Sequence, residues 1–431
     1  MFRKINLIWE IQGKMKLPLE GITVIDVAEV WAGPMGASLL GDLGARVIKV
    51  ESFPRPAHTR RAGSALAKGY TNNDPWAPRP WDRSATHNMA NRNKYGVTLN
   101  LTHPTGLETF KRLAGLADVL VEAFSAGTAE KLGIHYEAMR ETKPDIIMAS
   151  MPGWGVQGPY QGYVSLGSGL DGFSGHYALR GYPDNDPSMT PVVNHCDAIG
   201  AITLSFAVLV AIHHRNRTGE GQWIDISQVE GFLPHLGRPL MDYVMNGRQP
   251  GPIGNRDHYM APHGCYRCRG EDNWVVITVS SDQEWGALRG AMGDPEWAGE
   301  ADFAGSLDRH ENQDRLDALI QEWTQGLNKK EIMELLQRVG VPAQAVLNDE
   351  DLYADPHLGA RGFFQRAGHP TIGEYSYPGY LWKLGKSPQP AYRPANGLGE
   401  HNAFVYGHLL GMSDDEIRRL EEQSIIGDQL L

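Results

Sequence analysis

Asp197 stands immediately before the small residues Ala198–Ala201, at the start of an apolar run that continues to Arg215. An Asp in front of a helix is commonly its N-cap, because its carboxylate accepts hydrogen bonds from free N–H groups of the first turn. A carboxylate with an ordinary pKa of about 3.9 is also ionised at neutral pH, so it can attack an electrophilic carbonyl carbon without a general base. The residues alone leave both roles open, helix cap and nucleophile.

Cys265 and Cys268 form a C-x-x-C pair, with His258 and His263 upstream. A zinc site needs four ligands at suitable spacing, and the sequence has no second C-x-x-C and no H-x-x-x-H. On a strand, the two thiols would also point to opposite faces. We therefore predict buried strand cysteines, no metal site and no tightly bound cofactor.

Composition narrows the class of protein. The formal net charge is -11 and Lys and Arg are not clustered, so the chain is not expected to bind nucleic acid. Three cysteines are too few for a disulfide framework, which predicts a reducing compartment, the cytoplasm. The most apolar stretch, Ala198–Ile212, looks too short and too mixed to span a bilayer, so no membrane association is expected.

The elements that would position Asp197 begin with a β-α-β pattern. Ile22–Ala28 and Ala45–Glu51 are β-branched runs, and the small-residue segment Gly33–Leu43 between them has helical spacing. Further strand-like runs occur at Asp118–Ala123 and Asp145–Ser150, each after a helical pattern. Apolar strands without alternation that follow helices are typical of a parallel α/β sheet covered on both faces.

Shifts in composition predict the domain organisation. We expect an N-terminal extension, a large α/β domain, a linker rich in Gly, Pro, Asn and His, a smaller α+β domain, and a return segment that rejoins the large domain. The respective residues are 1–14, 15–234, 235–262, 263–345 and 346–431.

Seven segments, in this order and spacing, together resemble the class III CoA-transferase family, which includes formyl-CoA transferase, carnitine CoA-transferase and α-methylacyl-CoA racemase. The segments are Leu17–Glu51, Asn91–Leu101, Ala117–Phe124, Gly153–Tyr160, Cys196–Ala201, Arg217–Ser227 and Leu398–Asn402. The resemblance implies a Rossmann-like large domain built from both chain ends, a small middle domain and two interlocked subunits. It also implies that the substrates are an acyl-CoA and a carboxylic acid. CoA thioesters would then be substrates, and no cofactor would be tightly bound.

The resemblance also implies roles for particular residues. Asp197 falls at the position of the family's nucleophilic aspartate, which forms a mixed anhydride and then an aspartyl-CoA thioester. Residues at the family's CoA-contact positions are Trp31, Ala32, Leu99, Asn100, Thr102, Phe124 and Lys131, and Lys94 would neighbour the nucleotide end.

Three departures from the family pattern are visible. Ser52 stands where formyl-CoA transferase has an arginine for the nucleotide phosphates, and Arg55, Arg60 or Arg61 could replace it. Leu166 stands where the racemases have a histidine, which removes one partner of a two-base proton exchange. Gly167 stands where many of the transferases have an acidic residue, and Asp171 could supply that charge or merely start a helix.

The segment before Asn91 suggests a substrate. It contains aromatic and arginine residues, which would suit an acid with an apolar body and a second carboxylate. They are Tyr70, Trp76, Trp81, Arg60, Arg61, Arg79 and Arg83. On this interpretation succinyl-CoA is the donor and a substituted succinate such as benzylsuccinate is the acceptor; the alternative is a surface loop that packs on a partner subunit.

Other activities within the family stay open. The chain could be an isomerase that transfers CoA within one molecule, or a non-catalytic subunit of a heteromer. The partner subunit could be a second copy or a paralogue.

Overall fold

The computed structural model describes residues 16–61, 74 and 77–430. The predicted N-terminal extension lies outside these residues. The chain folds into two compact units. The larger contains the described residues up to Ser174 together with 192–240 and 360–430, and the smaller contains 175–191 and 241–359. These boundaries differ from the predicted ones, chiefly because 175–191 joins the smaller unit.

The large unit is built on a six-stranded sheet, with strands β1 (Thr23–Asp26), β2 (Arg46–Ser52), β3 (Lys94–Leu99), β4 (Val119–Glu122), β5 (Ile147–Ser150) and β6 (Trp223–Asp225). The strand order is β3-β2-β1-β4-β5-β6, and each neighbouring pair is parallel. β1, β4 and β5 are buried along their whole length. The predicted α/β class is confirmed, with the strand order of doubly wound folds.

Helices cover the sheet and form much of the smaller unit. In chain order the described α-helices are α1 (Ala32–Asp42), α2 (Ala85–Ala90), α3 (Pro104–Ala114), α4 (Thr128–Lys131), α5 (Tyr136–Thr142), α6 (Gly167–Phe173), α7 (His176–Leu179), α8 (His195–Thr218), α9 (Gln228–Phe232), α10 (Gly237–Asn246), α11 (Asp282–Ala291), α12 (Ser306–Glu311), α13 (Gln313–Gln325), α14 (Lys329–Arg338), α15 (Asp349–Tyr353), α16 (Pro356–Ala360) and α17 (Asp414–Glu422). The predicted linker thus contains a helix, α10.

α8 is the longest of the described helices and packs against α1. The two backbones approach closely at Gly36, where a Cβ would lie 2.5 Å from Leu204 Cδ2. Contrary to the sequence-based expectation, α8 is long and apolar enough to cross a membrane, because the helix extends beyond Ala198–Ile212 at both ends. Length and composition alone are weak evidence for a membrane span, and 44% of the most apolar stretch of α8 is buried inside the protein.

The C-terminal segment completes the large unit at β3. Thr98 Oγ1 donates to Gly427 O at 2.6 Å, and Thr98 N donates to Asn402 Oδ1 at 3.0 Å. The Tyr406 hydroxyl donates to Thr98 O at 2.8 Å. Residues separated by more than 300 positions therefore share one core.

The smaller unit has its own antiparallel sheet of β7 (His263–Arg267), β8 (Trp274–Thr278) and β9 (Ala343–Ala345). Cys268 packs in the hydrophobic core of this unit, and burial raises the pKa of its thiol to about 11. All three cysteines of the chain are free thiols. An antiparallel hairpin, β10 (Phe364–His369) and β11 (Gly373–Pro378), follows within the returning segment of the large unit.

Candidate active site

A cavity of about 580 Å³ opens at the carboxyl edge of the parallel sheet. One wall consists of residues 29–33, which are the loop after β1 together with the first two residues of α1, and of the loops after β4 and β5, residues 123–125 and 152–154. Thr86 and Met89 of α2 also line it. In the strand order β1 lies between β2 and β4, so the cavity occupies the switch point where open α/β sheets bind ligands.

The opposite wall brings Asp197 into this cavity, with Asn194, Leu166 and Gly167. α8 begins at His195, and its N-cap is Asn194, which has a left-handed backbone with φ 56°. Asp197 therefore lies inside the first helical turn. The sequence had suggested a place in front of the helix, and that expectation is wrong. Its side chain is half-buried and is not the helix cap.

Gly167 makes room for the Asp197 carboxylate. A Cβ at position 167 would lie 1.9 Å from Asp197 Oδ2 and 2.9 Å from Asn194 Oδ1. Any side chain there would displace the carboxylate from its place. The departure noted at Gly167 therefore has a steric reason in this chain.

Asp171 caps α8 from the neighbouring helix α6. Its Oδ2 accepts from His195 N and its Oδ1 accepts from Cys196 N, both at 3.0 Å. Burial would raise the pKa of Asp171, but these backbone N–H groups outweigh burial and hold that pKa below its ordinary value. Asp171 therefore supplies a fixed negative charge beside the first turn of α8, and the sequence had given this role only as one alternative.

The electrostatics of the site make the Asp197 carboxyl group a weaker acid than an exposed aspartate. Burial, followed by the negative charge of Asp171, raises the pKa of Asp197 to about 6. The carboxylate is still mostly ionised at neutral pH and is more basic than usual, which suits a nucleophile. The neighbouring Cys196 is fully buried, and burial raises its thiol pKa, so it does not compete as a nucleophile.

The structure brings three of the predicted CoA-contact residues into the cavity: Trp31, Ala32 and Phe124. Four others lie outside its lining. Leu99 is fully buried at the end of β3, and Asn100 accepts from Thr102 Oγ1 at 2.7 Å just beyond it. Lys131 is exposed at the end of α4. The contacts of these residues with CoA remain predictions.

Lys94 is placed differently from its predicted role beside the nucleotide. Its ammonium is buried and donates to Asp26 Oδ2 at 2.8 Å and to Pro34 O at 2.7 Å. Burial lowers its pKa to about 8, against the attraction of Asp26. An ammonium held by interior partners is not free to bind a phosphate, so the structure argues against direct contact with CoA.

The predicted arginines are also engaged elsewhere. Arg60 is fully buried between Glu51 and Asp82, with Nη1 2.7 Å from Asp82 Oδ1. Arg79 pairs with Asp82, and Arg83 donates to the carbonyl of Pro78. A guanidinium group held by buried acids is not free to bind a phosphate, so the structure argues against this role for Arg60. None of the four arginines considered for a second carboxylate, Arg60, Arg61, Arg79 and Arg83, lines the cavity.

Other residues before Asn91 are either exposed enough to bind a ligand or lie outside the described part of the chain. Arg55 is exposed and Arg61 is half-buried, so either can still take the place of the arginine missing at Ser52. Tyr70 and Trp76 lie outside the described residues. Trp81 does not line the cavity.

Sequence reasoning missed an aromatic cluster that walls the cavity. Trp154 contacts Tyr160, Tyr163 and Phe173, with ring centroids 5.9, 6.2 and 4.5 Å away. Trp154 and Tyr163 line the cavity. The signal was present in the Gly153–Tyr160 motif, whose aromatic residues could have been assigned to the site. Together with Trp31 and Phe124, Trp154 and Tyr163 give the cavity an aromatic surface among polar residues.

Comparison with known proteins identifies the family of the chain. Residues 19–402 match the family model for CoA-transferase family III. The chain belongs to CoA-transferase family III. As a CoA-transferase it uses CoA thioesters and carboxylic acids as substrates, which confirms the predicted reaction class.

Two relatives come from Chloroflexus aurantiacus. The chain is 31% identical over 409 residues to a succinyl-CoA–D-citramalate CoA-transferase, covering 95% of this chain and 98% of that protein. It is 32% identical over 416 residues to the beta subunit of a succinyl-CoA–L-malate CoA-transferase, again covering 95% and 98%. The crystal structure of a CAIB/BAIF family protein from Brucella suis superposes with a TM-score of 0.80 at 29% identity, covering 92% of this chain and 100% of that one.

The raised pKa of Asp197 predicts the acid limb of the pH profile. Transfer should decline as pH falls through about 6, because protonation removes the nucleophile. Asp171→Asn removes the neighbouring negative charge, so it should move this limb to lower pH. The measurement is kcat/KM from about pH 4.5 to about pH 8 for both proteins.

Glu108→Gln, on the exposed side of α3, is the matched control and should leave the limb where it is. An unshifted limb in Asp171→Asn would show that Asp171 does not act on the charge of Asp197.

Proposed function

We propose that this protein transfers CoA from succinyl-CoA to a dicarboxylic acid through covalent intermediates on Asp197. The observation that carries the proposal is the Asp197 carboxylate, which lines the cavity at the switch point of the sheet and needs no base to attack a thioester. The relatives whose names include succinyl-CoA support the choice of donor.

In the first half-reaction, an Asp197 oxygen attacks the thioester carbonyl, and the C–S bond breaks as CoA leaves as a thiolate. The product is a mixed anhydride between Asp197 and the donor acid. The thiolate then attacks the aspartyl carbonyl, the anhydride C–O bond breaks, and the donor leaves as a carboxylate. Asp197 now carries CoA as a thioester.

The second half-reaction repeats these steps in reverse with the acceptor. Its carboxylate attacks the aspartyl thioester and expels the thiolate, which then attacks the acceptor carbonyl and frees Asp197. Every step exchanges acyl groups, with no net proton or electron transfer, so we propose that no tightly bound cofactor takes part. The N-terminus of α8 favours the negative charge that develops at the reacting carbonyl.

The cavity supports an acceptor with an apolar body. Trp31, Phe124 and Trp154 offer apolar surface, while Gln161 and Ser168 are neutral hydrogen-bond donors. No Lys, Arg or His occurs among the described residues that line it. A second carboxylate would therefore be bound by neutral donors instead of the guanidinium groups first considered. A substituted succinate, benzylsuccinate included, fits this surface.

Two alternatives remain distinguishable by experiment. An isomerase of the same family would convert one acyl-CoA without a free acceptor acid. A non-catalytic partner subunit would bind CoA but form no intermediate on Asp197. Relatives named as the alpha and beta subunits of one enzyme motivate the second alternative.

Substitution of Asp197 tests the mechanism. Asp197→Asn and Asp197→Ala should lower transfer by orders of magnitude, because each removes the nucleophile, while CoA binding is retained. Incubation of the unmodified protein with succinyl-CoA and hydroxylamine should convert Asp197 alone to a hydroxamate, detected by peptide mass spectrometry. Asp225→Asn, at the end of β6, is a control that should still be labelled at Asp197. Full activity of Asp197→Ala would refute the covalent mechanism.

A competition among acceptors tests the substrate class. With succinyl-CoA as donor, we expect benzylsuccinate, D-citramalate and L-malate to be converted faster than acetate at equal concentration. The acyl-CoA products are measured by mass spectrometry. Preference for the monocarboxylic acid, or turnover of an acyl-CoA without any acceptor, would contradict the proposed acceptor class.

We propose that the functional unit is a dimer, with a second copy or a paralogue as partner. Ile202, Phe206 and Val210 recur every four residues on α8 and are 50%, 67% and 50% exposed. An apolar stripe of this kind on a core helix is typical of a subunit interface.

Native mass spectrometry of the purified protein is expected to give twice the chain mass, and Phe206→Glu should shift the population toward monomer because it places a charge in the interface. Glu108→Gln serves as the control. A monomeric, fully active protein would contradict the dimer, and co-purification of a second chain of similar size would identify a heteromer.

A further inference from the structure

Three charged side chains lie buried beneath the loop that follows β1: Asp26, Lys49 and Lys94. Asp26 Oδ2 is 2.8 Å from Lys94 Nζ, and Asp26 Oδ1 is 3.5 Å from Lys49 Nζ. All three are almost fully inaccessible to solvent and none lines the cavity. We call these residues the buried charge cluster. The proposed chemistry at Asp197 gives them no role.

The buried charge cluster holds both ends of the cavity loop. At the first end, Ala28 N donates to Asp26 Oδ1 at 2.9 Å, and Lys49 Nζ donates to Ala28 O. At the other end, Lys94 Nζ donates to Pro34 O at 2.7 Å. The five residues between these anchors, 29–33, all line the cavity.

The loop between the anchors has an unfavourable backbone. Val30 has φ 71°, in the left-handed region, which a β-branched residue avoids because its side chain collides with its own backbone. Such a conformation persists only where the surrounding structure imposes it. If its ends were released, the loop would relax and carry Trp31 away from the cavity.

Lys94 also connects this loop to α2, another element that lines the cavity. Its ammonium donates to Asn91 Oδ1 at 2.9 Å and to Ala90 O at 3.4 Å, at the end of α2. Thr86 and Met89 of that helix line the cavity. One ammonium group thus fixes two wall elements relative to each other.

We infer that Lys94 and Lys49 are positioning residues that hold the strained loop 29–33 in the shape that binds the acyl-CoA. The inference rests on the proposal that this cavity binds the thioester substrate. Neither lysine touches substrate; each acts through the backbone carbonyl it holds.

The test compares CoA binding by calorimetry, succinyl-CoA kinetics and thermal unfolding for Lys94→Met, Lys49→Met and Lys329→Met. In either cluster variant Asp26 keeps one lysine partner, so the charges stay paired. Lys329 is the matched control, a buried lysine of the smaller unit whose Nζ lies 2.6 Å from Asp351 Oδ2 and 2.9 Å from Val346 O.

Lys94→Met and Lys49→Met should each raise the Kd for CoA and the KM for succinyl-CoA by about tenfold or more, because the loop loses an anchor. Lys329→Met should change both by less than about twofold, even where its unfolding temperature falls equally. Hydrogen exchange at residues 29–33 should quicken in the two cluster variants and not in the control.

The strain at Val30 provides a double-mutant cycle. Glycine adopts φ 71° without cost, so Val30→Gly should reduce the penalty of Lys94→Met, and the two substitutions should be non-additive in Kd. The cycle corrects for the effect of Val30→Gly alone on the Kd for CoA.

Unaltered CoA binding and exchange in a folded Lys94→Met and a folded Lys49→Met, or strict additivity in the cycle, would overturn the inference while leaving the proposed function intact. Failure of the unmodified protein to bind CoA at all would overturn both.

Discussion

The site depends on one constraint: the carboxylates of Asp197 and Asp171 lie close together at the N-terminus of α8. The proposed mechanism requires Asp197 to be sheltered enough to be a basic nucleophile and yet ionised, and it requires the fully buried Asp171 beside it to stay charged. The second requirement is met by two backbone N–H groups at 3.0 Å, which keep Asp171 charged. The first is met by burial, by that charge, and by the missing side chain at Gly167.

The fold supplies the other half of the site from loops that are distant in sequence, at residues 29–33, 123–125 and 152–154. Parallel strands end at one edge, so the loops after β1, β4 and β5 necessarily meet there. α8 packs against α1, and Gly36 allows the two helices to approach closely. The interior acids and bases below the sheet edge then fix the shape of the loop at 29–33, whose backbone is unfavourable on its own.

The arginines show how burial redistributes roles that look equivalent in a sequence. Arg60 and Arg79 both pair with Asp82, which lies 22 residues after Arg60 and 3 residues after Arg79. A guanidinium group that is satisfied inside the protein costs several hydrogen bonds to release, so it does not serve a substrate. The aromatic side chains Trp154 and Tyr163 line the cavity, whereas no described arginine does.

The sequence by itself determined the α/β class, the strands β1, β2, β4 and β5 and the family of the chain, because these depend on local patterns and on ordered motifs. Only the tertiary structure decided that Asp197 lies within the first turn of α8 and that Asp171 is its charged neighbour. It also decided that Lys94 and Arg60 face inward. Which partner a charged side chain finds depends on the packing of distant elements, and no spacing along the chain encodes that choice.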